Sequence, residues 1–249
     1  MNIWTEQCTV RFSAIDTSDL MTLDAGLNFF QEAAISHAEN LGVGREAMAR
    51  TNQGWILSRM SVVVNRRPQF GETMTVRTWP RGWEKLFALR DYDLRDSHDQ
   101  PAVQARSCWI IIDREKRRPL RPQSIMDDLP QNEGQNALSA AIGLEICPSL
   151  QKIAERQALY SDVDYNGHVN NVSYIRWIQD ILDPALLEQS GRMQLDINYL
   201  NEVLPGEVVD LWSAEIAADA GAGNAFAFEG KKAESENPAA FRAELRLWR

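Results

Sequence analysis

Apolar positions along the chain show two kinds of spacing, and the two kinds follow one another in the same order twice. Leu27, Phe30, Ala34 and Ala38 recur at intervals of three or four, as one face of a helix requires. Val172, Ile175, Trp177 to Ile178 and Leu182 do much the same, up to Asp183-Pro184, where proline cannot continue the hydrogen-bond ladder. After each helical stretch come shorter runs with the composition and alternation of strands. The first set is 56–65, 72–79, 86–96 and 102–113, and the second is 196–200, 207–217, 225–232 and 239–248.

The recurrence extends to identities. Phe-Ser-Ala-Ile-Asp at 12–16 matches Tyr-Ser-Asp-Val-Asp at 160–164, and the shift of 148 between Asp16 and Asp164 also aligns Phe29 with Trp177 and Gln31 with Gln179. The Gly-Glu step that opens a strand recurs at Gly71-Glu72 and Gly206-Glu207 with a shift of 135, so the second copy is 13 residues shorter between helix and sheet. A duplicated unit is expected. A helix followed by antiparallel strands, occurring twice, predicts the α+β class and a tandem (double) hotdog, two antiparallel sheets each wrapping a long helix. The polar stretch from about 122 to 150 then puts an N-terminal domain at 1–125, a linker at 126–150 with room for a short helix at 137–142, and a C-terminal domain at 151–249.

Composition narrows the setting. The 249 residues suffice for one large core or two of ordinary size, and 44% hydrophobic with 24% charged residues are globular proportions. No apolar run approaches the roughly 20 residues that span a bilayer, so no membrane span is expected. The start, MNIWTEQCTVRF, has no basic or apolar region of a secretion signal, which sets the cytoplasm as the expected location. Cys8, Cys108 and Cys147 are odd in number and lack metal-ligand spacing, so they read as structural thiols and no metal is expected. A net charge of −9 argues against nucleic acid as a partner. An acidic partner would need a local basic patch, and 114–121 holds five basic side chains, Arg114, Lys116, Arg117, Arg118 and Arg121. The same run also reads as a solvated turn after a strand.

The chemistry concentrates at 162–177. Asp164, Asn166, Gly167 and His168 fall on a loop entering the second helix, and Asn170 or Asn171 supplies its N-cap. Such a helix start, with its unsatisfied N–H groups, can hold a substrate carbonyl and the oxyanion formed from it. Asx turns and caps use the same residues for structure alone. The repeat weighs against that bland reading: Asp164 is kept as Asp16, but Asn166 becomes Ser18 and His168 becomes Leu20, as in an active and a degenerate half.

This run, Asp164-Tyr-Asn166-Gly-His168-Val-Asn170-Asn171-Val-Ser-Tyr174, resembles the signature Asp-x-Asn-x-His-Val-Asn-Asn-x-x-Tyr of plant and bacterial acyl-acyl carrier protein thioesterases, a double-hotdog family. Residues 54–60, Arg67-Pro68, Gly71, Trp79-Pro80, Arg90-Asp91, Cys108-Trp109 and 114–120 also look like family positions, so the resemblance covers roughly 1–215. It implies Asp164, Asn166 and His168 as catalytic residues, and Glu202, three residues after the aromatic Tyr199, as the catalytic Glu. Where plant members follow this Glu with a Cys, this chain has Val203, which removes a cysteine nucleophile from the site. The implied reaction is hydrolysis by water. Glu202 is the expected general base, with the first proton going either to it or to His168; Asn166 holds water or carbonyl, His168 polarises the carbonyl or protonates the thiol, and Asp164 orients His168.

The resemblance further implies an acidic carrier protein docking on the basic patch, a substrate that brings its own phosphopantetheine arm so that no cofactor is needed, and a fatty acyl chain held in the N-terminal half. Phe29, Phe30, Trp55 and Ile56 are candidates for the tunnel wall, though aromatics at such spacing also make plain core. Arg67 at the position equivalent to Glu202 keeps the first half from running the same reaction. An acyl-coenzyme A substrate and a non-catalytic acyl-binding protein are the alternative readings, and either a monomer or a homodimer satisfies the fold.

Overall fold

A computed structural model describes residues 2–121, 129–139, 141–218, 221, 223–233, 235, 236 and 238–248. The chain forms two compact units, Met1–Ala141 and Ile142–Arg249. The first contains β1 (Trp4–Thr9), α1 (Leu23–Asn40), α2 (Arg45–Arg50), β2 (Gln53–Val64), β3 (Thr73–Glu84), β4 (Phe87–Arg95), β5 (Pro101–Asp113) and β6 (Arg118–Pro119). Its antiparallel strands lie in the order β1-β3-β4-β5-β2, with β6 paired to the end of β5. The second contains β7 (Gln151–Gln157), α3 (Asn171–Asp180), α4 (Pro184–Glu188), β8 (Arg192–Tyr199), β9 (Val208–Glu215), β10 (Asn224–Lys232) and β11 (Ala239–Trp248). Its order is β7-β9-β10-β11-β8. In both units the first strand lies at one edge, then the third, fourth and fifth, and the second closes the row. The internal repeat is therefore a repeat of topology.

Period-two patterning makes the sheets. On β11 Phe241, Ala243, Leu245 and Leu247 are buried, while Arg242, Glu244 and Arg246 take the other face, where Arg246 meets Glu244 at 2.6 Å and Arg242 meets Glu229 at 3.1 Å. Helix α1 is 18 residues long, is capped by Thr22, whose hydroxyl accepts from Ala25 N, and buries Leu23, Leu27, Phe30, Ala34 and His37 against β1, β3 and β4. Full burial of Leu27 and Phe30 contributes roughly 1.5–3 kcal/mol each. Helix α3 has only 10 residues and stops at Asp180, ahead of the expected stop at Pro184. Asp183 instead caps α4, which starts on Pro184, where the missing N–H costs nothing.

The expected linker at 126–150 is not a free connection. Its residues 126–128 lie outside the described residues, and 129–139 are bound to the first unit. Asn132, 3% exposed, donates to Pro80 O (2.9 Å) and Asn2 O (3.2 Å), Trp79 Nε1 donates to Gln135 O (3.0 Å), and Ala137 N donates to the buried Asp91 (2.8 Å), which also pairs bidentately with Arg106 at 2.6 and 2.7 Å. Further on, Ile142 O and Leu144 N bind the side chain of Asn198 on β8. The chain at 137–139 and 141–142 is not helical: its polar groups are taken by the sheets instead.

The imidazole of His37 is fully buried in the first unit. His37 on α1 accepts at Nδ1 from Arg90 (3.2 Å) and donates from Nε2 to Asn2 Oδ1 (3.1 Å), and Trp4 stacks on the ring at 5.9 Å. Burial first, and then the Arg90 guanidinium, disfavour the imidazolium and push its pKa from 6.5 down to about 4. Between those values the unfolded chain binds a proton that the folded chain does not. The contribution to stability is thus complete above about pH 6.5 and is lost as pH falls towards about 4. We predict that the urea midpoint declines from pH 7 to pH 4, and that His37→Gln flattens this slope. An equal slope in both proteins would show that His37 titrates normally.

Candidate active site

The candidate site is a tight turn facing a loop, and both are built twice. In the C-terminal unit Val163 and Val169 form a β-bridge, Asp164 N donates to His168 O (2.9 Å) and Gly167 N donates to Asp164 O (3.0 Å). In the N-terminal unit Ile15 and Met21 form the bridge, Asp16 N donates to Leu20 O (3.0 Å) and Asp19 N donates to Asp16 O (3.2 Å). The turn requires a left-handed residue, supplied by Gly167 at φ 83° and by Asp19 at φ 58°. Asp164 Oδ1 accepts from Asn166 N (2.8 Å) as Asp16 Oδ1 accepts from Ser18 N (2.9 Å).

The facing loop is repeated with the other shift. Val169 N donates to Val203 O as Met21 N donates to Pro68 O, both at 2.8 Å. Gly206 N donates to Ala158 O as Gly71 N donates to Val10 O, both at 2.9 Å. Leu204 N and Gln69 N are accepted by Glu207 and Glu72 at 2.8 and 3.0 Å. The shifts of 148 and 135 found in the sequence are therefore those of turn and loop.

Against this common frame the side chains differ. His168 Nε2 and Glu202 Oε2 are 3.2 Å apart, with 37% and 33% of the side chains exposed, so the pair is held by the protein and open to solvent. In the N-terminal unit Arg67, at the position of Glu202, is 5% exposed. It pairs with Asp16 and donates to Leu20 O (3.0 Å) and Met21 O (2.9 Å). Burial would raise the Asp16 carboxyl, but hydrogen bonds from Arg67, Ser18 and Leu20 and the Arg67 charge together hold it below its usual value. The first copy is plugged by an ion pair.

The four residues expected to be catalytic come together in the C-terminal unit, but in a different order of contact. Asp164 was expected to orient His168. Its carboxylate instead binds Asn166, through the main chain and through Nδ2 at 3.4 Å, and Glu202 is the group on the imidazole. An Asx turn uses up the Asp164 oxygens locally, which leaves the ring to the loop residue. Asn170 is the N-cap, accepting from Val172 N at 2.9 Å, and Asn171 begins the helix. The cap and Ser173 N→Asn170 O (2.9 Å) occupy two donors of the helix start, so Asn170 serves the helix first.

Several supporting residues were not singled out from sequence. Lys232 on β10 donates to Glu202 O (3.3 Å) and to Glu207 (3.2 Å). Tyr174 rests on Tyr199 and Phe241, with ring centroids 6.0 and 5.2 Å away, and its phenol hydrogen-bonds the main chain of Val203. Burial raises the pKa of both tyrosines. Asp162, buried beneath the turn, accepts from Trp177 Nε1 at 3.2 Å. An open depression lined by Tyr160, Ser161, Val163, Asp164 and Tyr165 flanks the turn. No cysteine belongs to the site: burial, above all, pushes the Cys8 and Cys108 thiols up to about 11, and Cys147 contacts Ser149. Among the described residues no group of three or more His, Cys, Asp or Glu could hold a metal ion, and no helix is long and apolar enough to cross a membrane.

Two further expectations meet the structure in the N-terminal unit. Arg114, Lys116, Arg117, Arg118 and Arg121 are all exposed on and beside the β5–β6 hairpin. The four proposed tunnel residues do not form one wall. Phe30 is fully buried beside Tyr92 at 5.1 Å, and Phe29 is half-buried. Trp55 packs on Trp83 in a satellite cluster with Val43 and Met48, and Ile56 is 45% exposed. Adjacent residues of a strand face opposite sides, so Trp55 and Ile56 cannot line one surface.

Comparison with known proteins agrees with the motif. The profile described as the acyl-ACP thioesterase N-terminal domain matches residues 1–131, and that of the C-terminal domain matches 149–246. A palmitoyl-acyl carrier protein thioesterase of Cuphea hookeriana is 25% identical over 240 residues, 90% of this chain and 57% of that protein. Oleoyl-acyl carrier protein thioesterase 1 of Arabidopsis thaliana is 26% identical over 231 residues, 82% and 62% of the two. The chain thus spans about three fifths of the length of these relatives. The crystal structure of an acyl-ACP thioesterase from Bacteroides thetaiotaomicron superimposes with a TM-score of 0.86 at 26% identity, covering 98% of this chain and 97% of that one. The 12:0-ACP thioesterase from Umbellularia californica shares the fold, with a TM-score of 0.81 at 19% identity over 98% and 93% of the chains. With both domain profiles in sequence and the motif residues gathered around one turn, the chain belongs to the acyl-ACP thioesterase family.

Proposed function

We propose that this chain hydrolyses the thioester of fatty acyl-acyl carrier protein, releasing free fatty acid and ending chain elongation in fatty acid biosynthesis. The observation that carries the reading is the 3.2 Å contact between His168 and Glu202 on the turn that bears the family motif. Water attacks the thioester carbonyl carbon, and its proton passes to the Glu202–His168 pair. The tetrahedral intermediate collapses with cleavage of the C–S bond, and the pair returns that proton to the thiolate. Glu202 is the base, and His168, which shares its Nε2 proton with Oε2, is the donor to sulfur. Asn166, held by Asp164, offers its amide to the oxyanion. A general base and a positioned donor supply roughly 10²–10⁴ each, enough for a thiol leaving group without a covalent intermediate.

The two units, with their shared strand order, are read as a double hotdog. The N-terminal unit, whose own turn is plugged by Arg67, is assigned to the acyl chain, and its exposed basic hairpin to the acidic carrier.

Glu202→Gln should lower kcat at least ~10²-fold on acyl-carrier thioesters, with an unchanged circular dichroism spectrum. A wild-type protein that binds acyl chains yet cleaves no carrier or coenzyme A thioester would replace this reading with an acyl-binding protein. Reversing Arg117 and Arg118 to Glu should raise KM for acyl-carrier substrates and leave short acyl-coenzyme A turnover nearly unchanged. Equal effects on both substrates would remove the hairpin from docking.

A further inference from the structure

The turn that carries Asp164, Asn166 and His168 is closed by different side chains in the two units. In the N-terminal unit Arg67 closes it, reaching Asp16 at one end and the carbonyls of Leu20 and Met21 at the other. The C-terminal unit has Glu202 there, and a carboxylate cannot donate to carbonyl oxygens. A different side chain, Asp162, 2% exposed, ties the ends of that turn together by accepting rather than donating. Its Oδ2 accepts from Leu159 N (3.0 Å) and its Oδ1 from Trp177 Nε1 (3.2 Å), while its carbonyl accepts from Asn170 N (2.8 Å) and Ser173 Oγ (3.0 Å). One residue thereby joins the chain entering the turn, the chain leaving it and the body of α3.

The internal repeat supplies the control. The shift of 148 matches Asp162 with Ala14 and Trp177 with Phe29, two apolar residues in place of two polar ones. Only main-chain bonds are common: Thr22 N→Ala14 O at 3.0 Å answers Asn170 N→Asp162 O, and Ala14 N→Arg11 O at 2.9 Å answers Asp162 N→Leu159 O. The polar pair stands where the arginine clamp is missing, and the arginine clamp stands where the pair is missing. Among the described residues no cationic side chain pairs with Asp162. A buried carboxylate held only by an indole and a main-chain N–H is poorly explained by stability alone, because its desolvation is costly.

We propose that Asp162 and Trp177 are positioning residues for the catalytic turn, holding it in the shape that sets His168 against Glu202, in place of the arginine clamp. The inference rests on the thioesterase reading of the site, and its test separates the two. Asp162→Ala and Trp177→Phe each leave a buried polar group without its partner, so each should lower the thermal midpoint. The double variant makes both partners apolar, as they are in the N-terminal unit, and should lose less stability than the sum of the two. Activity should not recover with it. In the folded double variant kcat is expected to stay at least ~30-fold down with KM within about threefold, as misplacement of reacting groups by an ångström costs of this order. A double variant whose kcat lies within about threefold of wild type, or whose loss lies in KM alone, overturns the proposal.

The His168 ring nitrogens, assigned by loss of their signal in His168→Gln, give a readout independent of turnover. Their 15N resonances should move in the double variant. If wild type cleaves no thioester, the functional reading fails while this resonance still decides the positioning, and an unmoved signal overturns it.

Discussion

The candidate site depends on one main-chain hydrogen bond, from Val169 N to Val203 O at 2.8 Å. His168 and Glu202 each precede one of the bonded residues, so joining the two backbones brings the two side chains within 3.2 Å. No long side chain has to search for its partner. The turn arrives already shaped by its own bridge and its left-handed glycine, and the loop arrives fixed by Gly206, Glu207 and Lys232. A site assembled from main-chain bonds loses little conformational entropy when its side chains meet.

The same bond exists in the N-terminal unit, between Met21 and Pro68, where it serves no acid–base pair. The fold therefore supplies the geometry in both copies, and the side chains decide what it is used for. Arginine at the loop position takes up Asp16 and two carbonyls of the turn. Glutamate satisfies less of it and leaves a carboxylate and an imidazole partly in solvent. The C-terminal arrangement is the less self-satisfied of the two.

Much of this was legible in the sequence because the informative elements have local signatures. Eight strands were found, though β3 runs five residues past its expected end and β8 begins four residues before its expected start, and both shifts of the repeat proved to be shifts of hydrogen-bonded partners. The edge strands β1 and β7 escaped because their half-buried positions mix polar and apolar residues, Trp4, Glu6 and Cys8 on β1 and Ala154 and Arg156 on β7, so burial alternates without an alternation of hydrophobicity. Asp164, Asn166 and His168 stood out through turn chemistry, whereas Glu202 was reachable only through the family resemblance. The exchange of roles, with Glu202 rather than Asp164 on the imidazole, was not readable, since an Asx turn and a triad-like contact ask for the same residue. Asp162 was hidden for a related reason: its partner Trp177 is a contact made by folding.

The strap at 129–139 carries a consequence for dissecting the molecule. Composition places the end of the first domain near residue 125, but Asn132, Gln135 and Ala137 complete the hydrogen bonding of Pro80, Trp79 and Asp91. A chimera that exchanged halves at the compositional boundary would transplant those partners into the wrong protein and leave Asp91 with one donor fewer in the first unit's interior. The natural seam for recombining halves lies instead between Ala141 and Ile142, where one unit ends its bonding and the next begins.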